Sequence, residues 1–379
     1  MLNRNFIKEI ILLLISLLLF LSIPPFFVWK VSELLRLIIP VFIVILSYIY
    51  CRALSRKNLL FSITLAILYL FFALRDGKNV IGIIATISIV FIFAFDSRFI
   101  FLTYKKFVNI YCLFLIPSIC VYIAVVLLGV ELPYQIIDPQ NSLKDYLYRQ
   151  YPLLITSDTL SNDTFRFCSY FDEPGVVGTI SGILLLIDGL NPRKWQTWIL
   201  LISGVFSLSF AFFLLLFSNI ILFQSTDLKI LFCSLLIILF VIFANNEVLQ
   251  LLLFDRFQIE DGQVAGINRT TSSMDFFMHS FWNSDKLCWG YGNNYAQIFV
   301  NTGGASFKDL LINYGLIGFG GLCVLSIYFG LRYLRITKRF LVFCIIWGCL
   351  IYQRPFIFLL IYFYLMYIIL FVSNNQKIL

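Results

Sequence analysis

Charge is what this chain has least of. Asp, Glu, Lys and Arg together make up 13% of its 379 residues, about half the roughly 25% of a soluble domain. Hydrophobic residues make up 61%, against roughly 45–50%, and the mean hydropathy is +0.93. So few polar groups cannot cover a water-facing surface. A soluble enzyme is therefore excluded, as are disordered, collagen-like and disulfide-scaffold chains. Histidine occurs once, which excludes a multi-histidine metal centre. The nine cysteines are scattered, mostly in apolar runs, without a Cys-x-x-Cys pair, so no metal or other cofactor is expected. No small-residue cleavage site follows the first apolar run, Ile10 to Ile23, which reads as a retained span and not as a signal peptide.

What is present is long apolar runs. They fall near 6–23, 34–51, 59–74, 79–95, 107–130, 173–190, 196–223, 228–244, 307–331, 339–353 and 355–372. Such lengths suit membrane-spanning helices, and the alternating ten-residue strands of a β-barrel are absent. Two stretches, 131–172 and 245–306, are long, polar and irregular. The formal net charge is +8, which here marks the cytoplasmic ends of helices and not nucleic-acid binding. The basic clusters are Arg4 and Lys8; Arg52, Arg56 and Lys57; Arg98, Lys105 and Lys106; Arg193 and Lys194; and Arg332, Arg335, Lys338 and Arg339. Most of the twenty acids lie elsewhere, in the two long loops. Those loops then face outward.

This sidedness requires the 196–223 run to cross an even number of times. At 1.5 Å per residue it is about 42 Å long, too long for one span and short for two. We expect two abbreviated helices meeting between Ser203-Gly204 and Ser207-Leu208-Ser209; one long tilted helix is the alternative. A polar break at membrane depth is tolerated where it lines a cavity or is buried in protein. The expected fold class is all-α: one polytopic integral membrane domain over 1–379, with about twelve (11–12) transmembrane helices. Both termini are expected inside, and the two large extracytoplasmic loops, 131–172 and 245–306, are expected to carry short helices.

Ionisable residues are scarce near mid-membrane, where a transporter or proton pump usually needs them. The chemistry-bearing residues collect in the outward loops. The first loop ends in Arg166…Phe171-Asp172-Glu173-Pro174-Gly175 before a helix starts. Asp172 suits the N-cap, Glu173 the first turn and Pro174 the first helical position. Both acids can be simple caps, or the helix mouth can present carboxylates to a polar substrate. The second loop holds Asp255-Arg256, Asn268-Arg269, then His279, Gly290-Tyr291-Gly292 and Ser306. The stretch after Arg269 suits an amphipathic helix through Phe276, Phe277 and Phe281. Gly290-Tyr291-Gly292 lacks the preceding strand and the Lys-Ser/Thr of a nucleotide loop and reads as a tight turn. Arg354-Pro355 falls at the same face, as a turn or as a further arginine of the site. Arginine suits phosphate oxygens because its planar fork donates twice. Arginines converging from two loops would suit an anionic lipid head group; a structural ion pair with Asp255 or Glu260 is the alternative. His279 suits a general base, or is a surface or packing residue. Cys168 and Cys288 lie in the two outer loops, where a disulfide can form.

Taken together, these features resemble the bacterial O-antigen polymerases. The likeness rests on the span layout with two large outer loops. It rests also on Arg166…Phe171-Asp172-Glu173-Pro174-Gly175…Gly178-Thr179, on the Ser203-Gly204…Ser207-Leu208-Ser209-Phe210 break, and on Gly290-Tyr291-Gly292 followed by Ser306…Leu310-Leu311…Tyr314-Gly315-Leu316-Ile317-Gly318. It covers about 160–320. The resemblance implies a GT-C-like membrane glycosyltransferase that joins oligosaccharide units carried on undecaprenyl pyrophosphate, as donor and acceptor, at the periplasmic face of the inner membrane. Undecaprenyl pyrophosphate leaves, with no nucleotide sugar, cofactor or metal. It implies that Arg166, Arg256 and Arg269 bind the pyrophosphate, with a chain-length regulator as a candidate protein partner; in our own reading Arg166 and Arg269 are central and Arg256 and Arg354 outer members. For the base, Glu173 is the first choice, then His279, then Asp172. The related O-antigen ligases usually carry a His-Asn pair where this chain has Ser306-Phe307, which disfavours the ligase. A lipid-linked oligosaccharide flippase would need charges inside the spans and a repeat between halves, and neither is visible.

Overall fold

In apolar surroundings a helix satisfies its own backbone groups, and a chain this apolar folds accordingly. The protein, here a computed structural model, is described over residues 4–24, 33–138, 147–157, 166–171, 173–226, 229, 234, 259–260, 263–264, 272–293, 295–299, 307–354 and 356–372. These residues are mostly helical. Three helices are long and apolar enough to cross a membrane, and several shorter ones are equally apolar, as a membrane protein requires. The chain forms two compact units, Met1–Pro117 with Ser272–Leu379, and Ser118–Thr271.

In the first unit, α1 covers Arg4–Leu21, α2 Glu33–Cys51, α3 Arg56–Arg75 and α4 Val80–Phe91; α5, Ser97–Tyr122, begins there. The later helices are α9 (Ser272–Trp282), α10 (Tyr295–Phe299), α11 (Phe307–Leu334), α12 (Lys338–Gln353) and α13 (Leu360–Val372). Every residue of α13 is buried. A helix apolar all round can be stable only when surrounded, and α13 is the centre of this unit. Phe61 of α3 meets Tyr367 and Phe371 of α13 edge-on at 5.3 Å each, and Phe329 of α11 at 4.8 Å. Such edge-to-face pairs add specificity to apolar burial. Two polar bonds lie within this core: the Tyr367 hydroxyl lies 2.7 Å from that of Ser326, and the Asn58 amide donates to the Phe95 carbonyl at 2.6 Å.

In the second unit, the described part of the 131–172 stretch is not helical. It forms an antiparallel sheet, β1 (Gln135–Ile137), β2 (Tyr148–Tyr151) and β3 (Leu154–Ser157), in that order. The all-α expectation of short helices is corrected there. Its Tyr148-Arg149-Gln150-Tyr151 buries both tyrosines at the strand ends, and Leu153 takes φ +59° in the tight turn before β3. The 196–223 run divides as the helix-break reading requires, into α7 (Trp195–Phe206) and α8 (Phe210–Phe223). Between them Leu208 adopts φ +46°. Both pack on α6 (Pro174–Asp188), which is buried from Val176 to Ile187. Small residues let the backbones approach. A Cβ on Gly178 would lie 2.3 Å from that of Ser209, and one on Gly204 would lie 2.0 Å from the Phe212 ring. Two polar bonds tie the same helices: Ser181 to Ser203 at 3.2 Å, and the Asn219 amide to the Leu185 carbonyl at 2.6 Å. The 228–244 run lies largely outside the described residues.

Replacing Gly178 by Val should overpack this contact and cost about 1–3 kcal/mol. A lowered unfolding midpoint in detergent checks it; a midpoint equal to wild type would contradict the packing.

Candidate functional site

The sequence-derived site residues fall in both units. In the second, Arg166 is half-buried and its Nε donates to the Ser207 carbonyl at 3.1 Å. That carbonyl belongs to the C-terminal cap of α7, where a cation is favoured. One residue earlier in the cap geometry, the Phe167 N–H donates to the Phe206 carbonyl at 2.9 Å. The segment bearing Arg166 is thus stitched to the α7–α8 break. Glu173, not Asp172, is the N-cap of α6, without a side-chain capping bond. The reason is Pro174 at the first helical position: its ring forces the preceding residue out of the helical region, and Glu173 has φ −149° and ψ 147°. The expected first-turn place of Glu173 is corrected accordingly. Asp172, Arg256 and Arg269 lie outside the described residues. Both cysteines that the sequence allowed to pair are thiols. The Cys168 thiol is buried and donates to the Ile155 carbonyl at 2.7 Å, and Cys288 remains a thiol.

In the first unit, His279 lies exposed on α9. This helix is amphipathic, and of the expected face Phe281 is buried and Phe277 packs beside it, while Phe276 does not join them. Met274, Met278 and Phe281 pack with Leu311 and Ile312 of α11, at the i, i+4, i+7 spacing of one helix face, whereas Phe276 is 82% exposed. Arg354 caps the C-terminus of α12 and is buried.

The most elaborate polar construction is one the sequence pointed to only in part. Helix α11 is interrupted at Gly315, which has φ 65° and ψ −173°. A continuous helix would pair Leu316 N–H with Ile312 C=O, and Ile317 N–H with Asn313 C=O. Here those four groups bond instead to the segment after α9. Leu316 and Ile317 N–H donate to the Leu287 and Cys288 carbonyls at 2.9 and 3.0 Å. The Tyr291 and Gly292 N–H groups donate to the Ile312 and Asn313 carbonyls, both at 2.9 Å. The loop is inserted into the opened helix. Glycine is required at the crossing: a Cβ on Gly315 would lie 2.3 Å from the Cys288 oxygen, and one on Gly290 2.4 Å from the Asn313 oxygen.

The connector between α3 and α4, Arg75-Asp76-Gly77-Lys78-Asn79, closes over this insertion. Its own shape is local. Gly77 at φ +63° and the bonds Gly77 N–H to Leu74 C=O and Lys78 N–H to Ala73 C=O form a Schellman ending. Asn79 then caps α4 by accepting from the Gly82 N–H at 2.8 Å. From this turn the Arg75 guanidinium donates to the Gly290 carbonyl. The Asn293 side-chain amide donates to the Arg75 and Asp76 carbonyls at 3.2 Å each. The Asp76 carboxylate accepts from the Tyr314 hydroxyl at 2.8 Å, next to the helix break. Lys78 Nζ stands 4.0 Å from the same carboxylate, 3.7 Å from the centre of the Phe358 ring and 3.2 Å from the Thr86 hydroxyl. Only 3% of the Asp76 side chain is exposed. Burial raises its carboxyl pKa, against the opposing pull of Tyr314, Lys78 and Arg75; burial likewise lowers the Lys78 pKa.

Sequence reasoning missed Arg75, Asp76, Lys78 and Tyr314 as parts of one cluster. A signal existed: three charged residues, Arg75, Asp76 and Lys78, stand together between two apolar runs. Among the described residues no group of three or more His, Cys, Asp or Glu is placed to hold a metal. No protein-family model, curated protein or solved structure matches the chain.

Gly315→Ala should destabilise the first unit by about 1–3 kcal/mol through strain at positive φ, read as a lowered unfolding midpoint. Asp76 supplies a second test. A carboxyl whose pKa is raised on folding favours the fold in acid and loses that contribution as pH rises through the raised value. Wild type should therefore lose stability relative to Asp76→Asn as the pH rises from about 4 through the raised value. A constant difference across that range would contradict the burial.

Proposed function

We propose that the chain is an O-antigen polymerase of the bacterial inner membrane, a glycosyltransferase that joins undecaprenyl-pyrophosphate-linked oligosaccharide units at the periplasmic face. One observation carries the reading. The motif pieces that bear the resemblance are joined in space within each unit: Gly290-Tyr291-Gly292 lies in the opening at Tyr314-Gly315, and Gly178 lies against Ser207 and Ser209. Interrupted helices in apolar surroundings are tolerated where they line a cavity or are buried in protein, and both interruptions fall in motifs singled out by sequence.

In this reading the pyrophosphate is already a good leaving group. Catalysis then requires positioning, and positive charge where the leaving oxygens develop negative charge. Arg166, with Arg269, supplies that charge; Arg256 and Arg354 are outer members. The Ser207 carbonyl holds the Arg166 Nε side, which fixes the plane of the guanidinium. Glu173 at the start of α6 accepts the proton of the attacking sugar hydroxyl as the new glycosidic bond forms and the anomeric C–O bond to pyrophosphate breaks. The lipid tails stay in the apolar shell. No nucleotide sugar, cofactor or metal takes part.

Purified protein in liposomes with lipid-linked repeat units, and no nucleotide sugar, should produce a ladder of chain lengths. Lipid-linked units that cross the bilayer without lengthening would replace this reading with a flippase. Arg166→Ala and Arg269→Ala should each slow lengthening by about 10²–10³-fold while the protein still reaches the membrane; an unchanged ladder in both would refute the phosphate assignment. Glu173→Gln should slow it about 10²-fold or more, and near-normal turnover would move the base to His279.

A further inference from the structure

We propose that Arg75 and Asp76 are positioning residues, which hold the 287–293 loop in the opened α11 and thereby set the place of α9 and its His279. The consequence for turnover rests on the function proposed above; the positioning itself does not.

Three layers of contact lead to this assignment. The loop and α11 exchange four backbone bonds across the break at Gly315. Those bonds hold only while the loop stays threaded, and its glycines offer no side chains to anchor it. The anchors come from the α3–α4 connector. Arg75 bonds the Gly290 carbonyl, and the Arg75 carbonyl accepts from the Asn293 N–H at 3.2 Å. Asp76 bonds Tyr314, the residue before the break. The connector therefore touches both sides of the opening, the inserted loop and the interrupted helix, with one charged side chain on each. A charged donor on a backbone carbonyl is stronger than a neutral one. Upstream, α9 follows the loop's position because the rings of Phe281 of α9 and Tyr291 of the loop pack at a tilt, 6.0 Å apart, and Phe277 also meets Tyr291 at 5.9 Å. Arg75 and Asp76 bond the loop and the opened helix directly, and they act through these two.

The test is amide hydrogen exchange of the full-length protein in nanodiscs, read by mass spectrometry. Arg75→Ala and Asp76→Ala should speed exchange of the Tyr291, Gly292, Leu316 and Ile317 amides at least about tenfold. Peptides of the buried α13 should exchange as in wild type. Asp76→Asn, whose amide oxygen still accepts from Tyr314, should restore slow exchange. If either alanine variant fails to fold, Tyr314→Phe removes one bond without a cavity and should show the same local quickening. Unchanged exchange at the four amides, or quickening spread equally into α13, overturns the assignment. If turnover of Glu173→Gln in the lengthening assay assigns the base to His279, Arg75→Ala should lower kcat at least about tenfold with KM for the lipid-linked unit within about twofold, and a change confined to KM would overturn the assignment. A wild type that does not lengthen refutes the function proposed above, and exchange alone then decides the positioning.

Discussion

The first unit depends on how a helix can be opened in apolar surroundings. Breaking α11 at Gly315 uncovers two N–H and two C=O groups, each costly if left without a partner. The protein meets this locally with a second piece of backbone, whose own N–H and C=O groups would otherwise need partners too. The result is a self-consistent pair: neither the opening nor the loop is stable alone. Everything nearby follows from it, including the glycines at 290 and 315 that permit the approach, the aromatic packing of Tyr291 on Tyr295 at 4.2 Å, and the ionic connector that closes over it.

The second unit solves a related problem differently. There the chain reverses between α7 and α8 through Ser207-Leu208-Ser209, and the C-terminal carbonyls of α7 are met by the Arg166 guanidinium and the Phe167 N–H. Gly178 of α6 makes room for the serines. In both units an interruption is buffered by small residues and tied by an arginine to a backbone carbonyl. The two arrangements share chemistry without sharing sequence, since one uses an inserted loop and the other a helix end.

The sequence was legible where apolar length and turn chemistry act locally. Among the described residues most helical runs stand close to where hydropathy puts them, α5 beginning ten residues ahead of its run, and the break in 196–223 follows from its length and its Ser-Leu-Ser. The Schellman turn after α3, with Gly77 at its left-handed position, and the Asn79 cap of α4 are local as well. Less legible was anything set by distant partners. Gly290-Tyr291-Gly292 read as a turn because nothing nearby reveals that its N–H groups bond residues 312 and 313. On α9, Phe281 and Phe277 lie on the packed side as expected, but Phe276 does not, because adjacent aromatic residues have no unique face until their neighbour is known. The small sheet at 135–157 is likewise a matter of pairing across a loop, and its strands are too short to carry a clear alternation.

The bond between Arg75 and Gly290 spans 215 residues of chain. At about 5–20 residues per second, Arg75 leaves the ribosome some ten to forty seconds before its acceptor exists. During that interval its charge, and that of Asp76, must stay in contact with water at the end of α3. Final closure of this unit is thus a late event in biogenesis, and an early-formed helix hairpin has to wait, half-finished and hydrated at one tip, for a strand of backbone made much later.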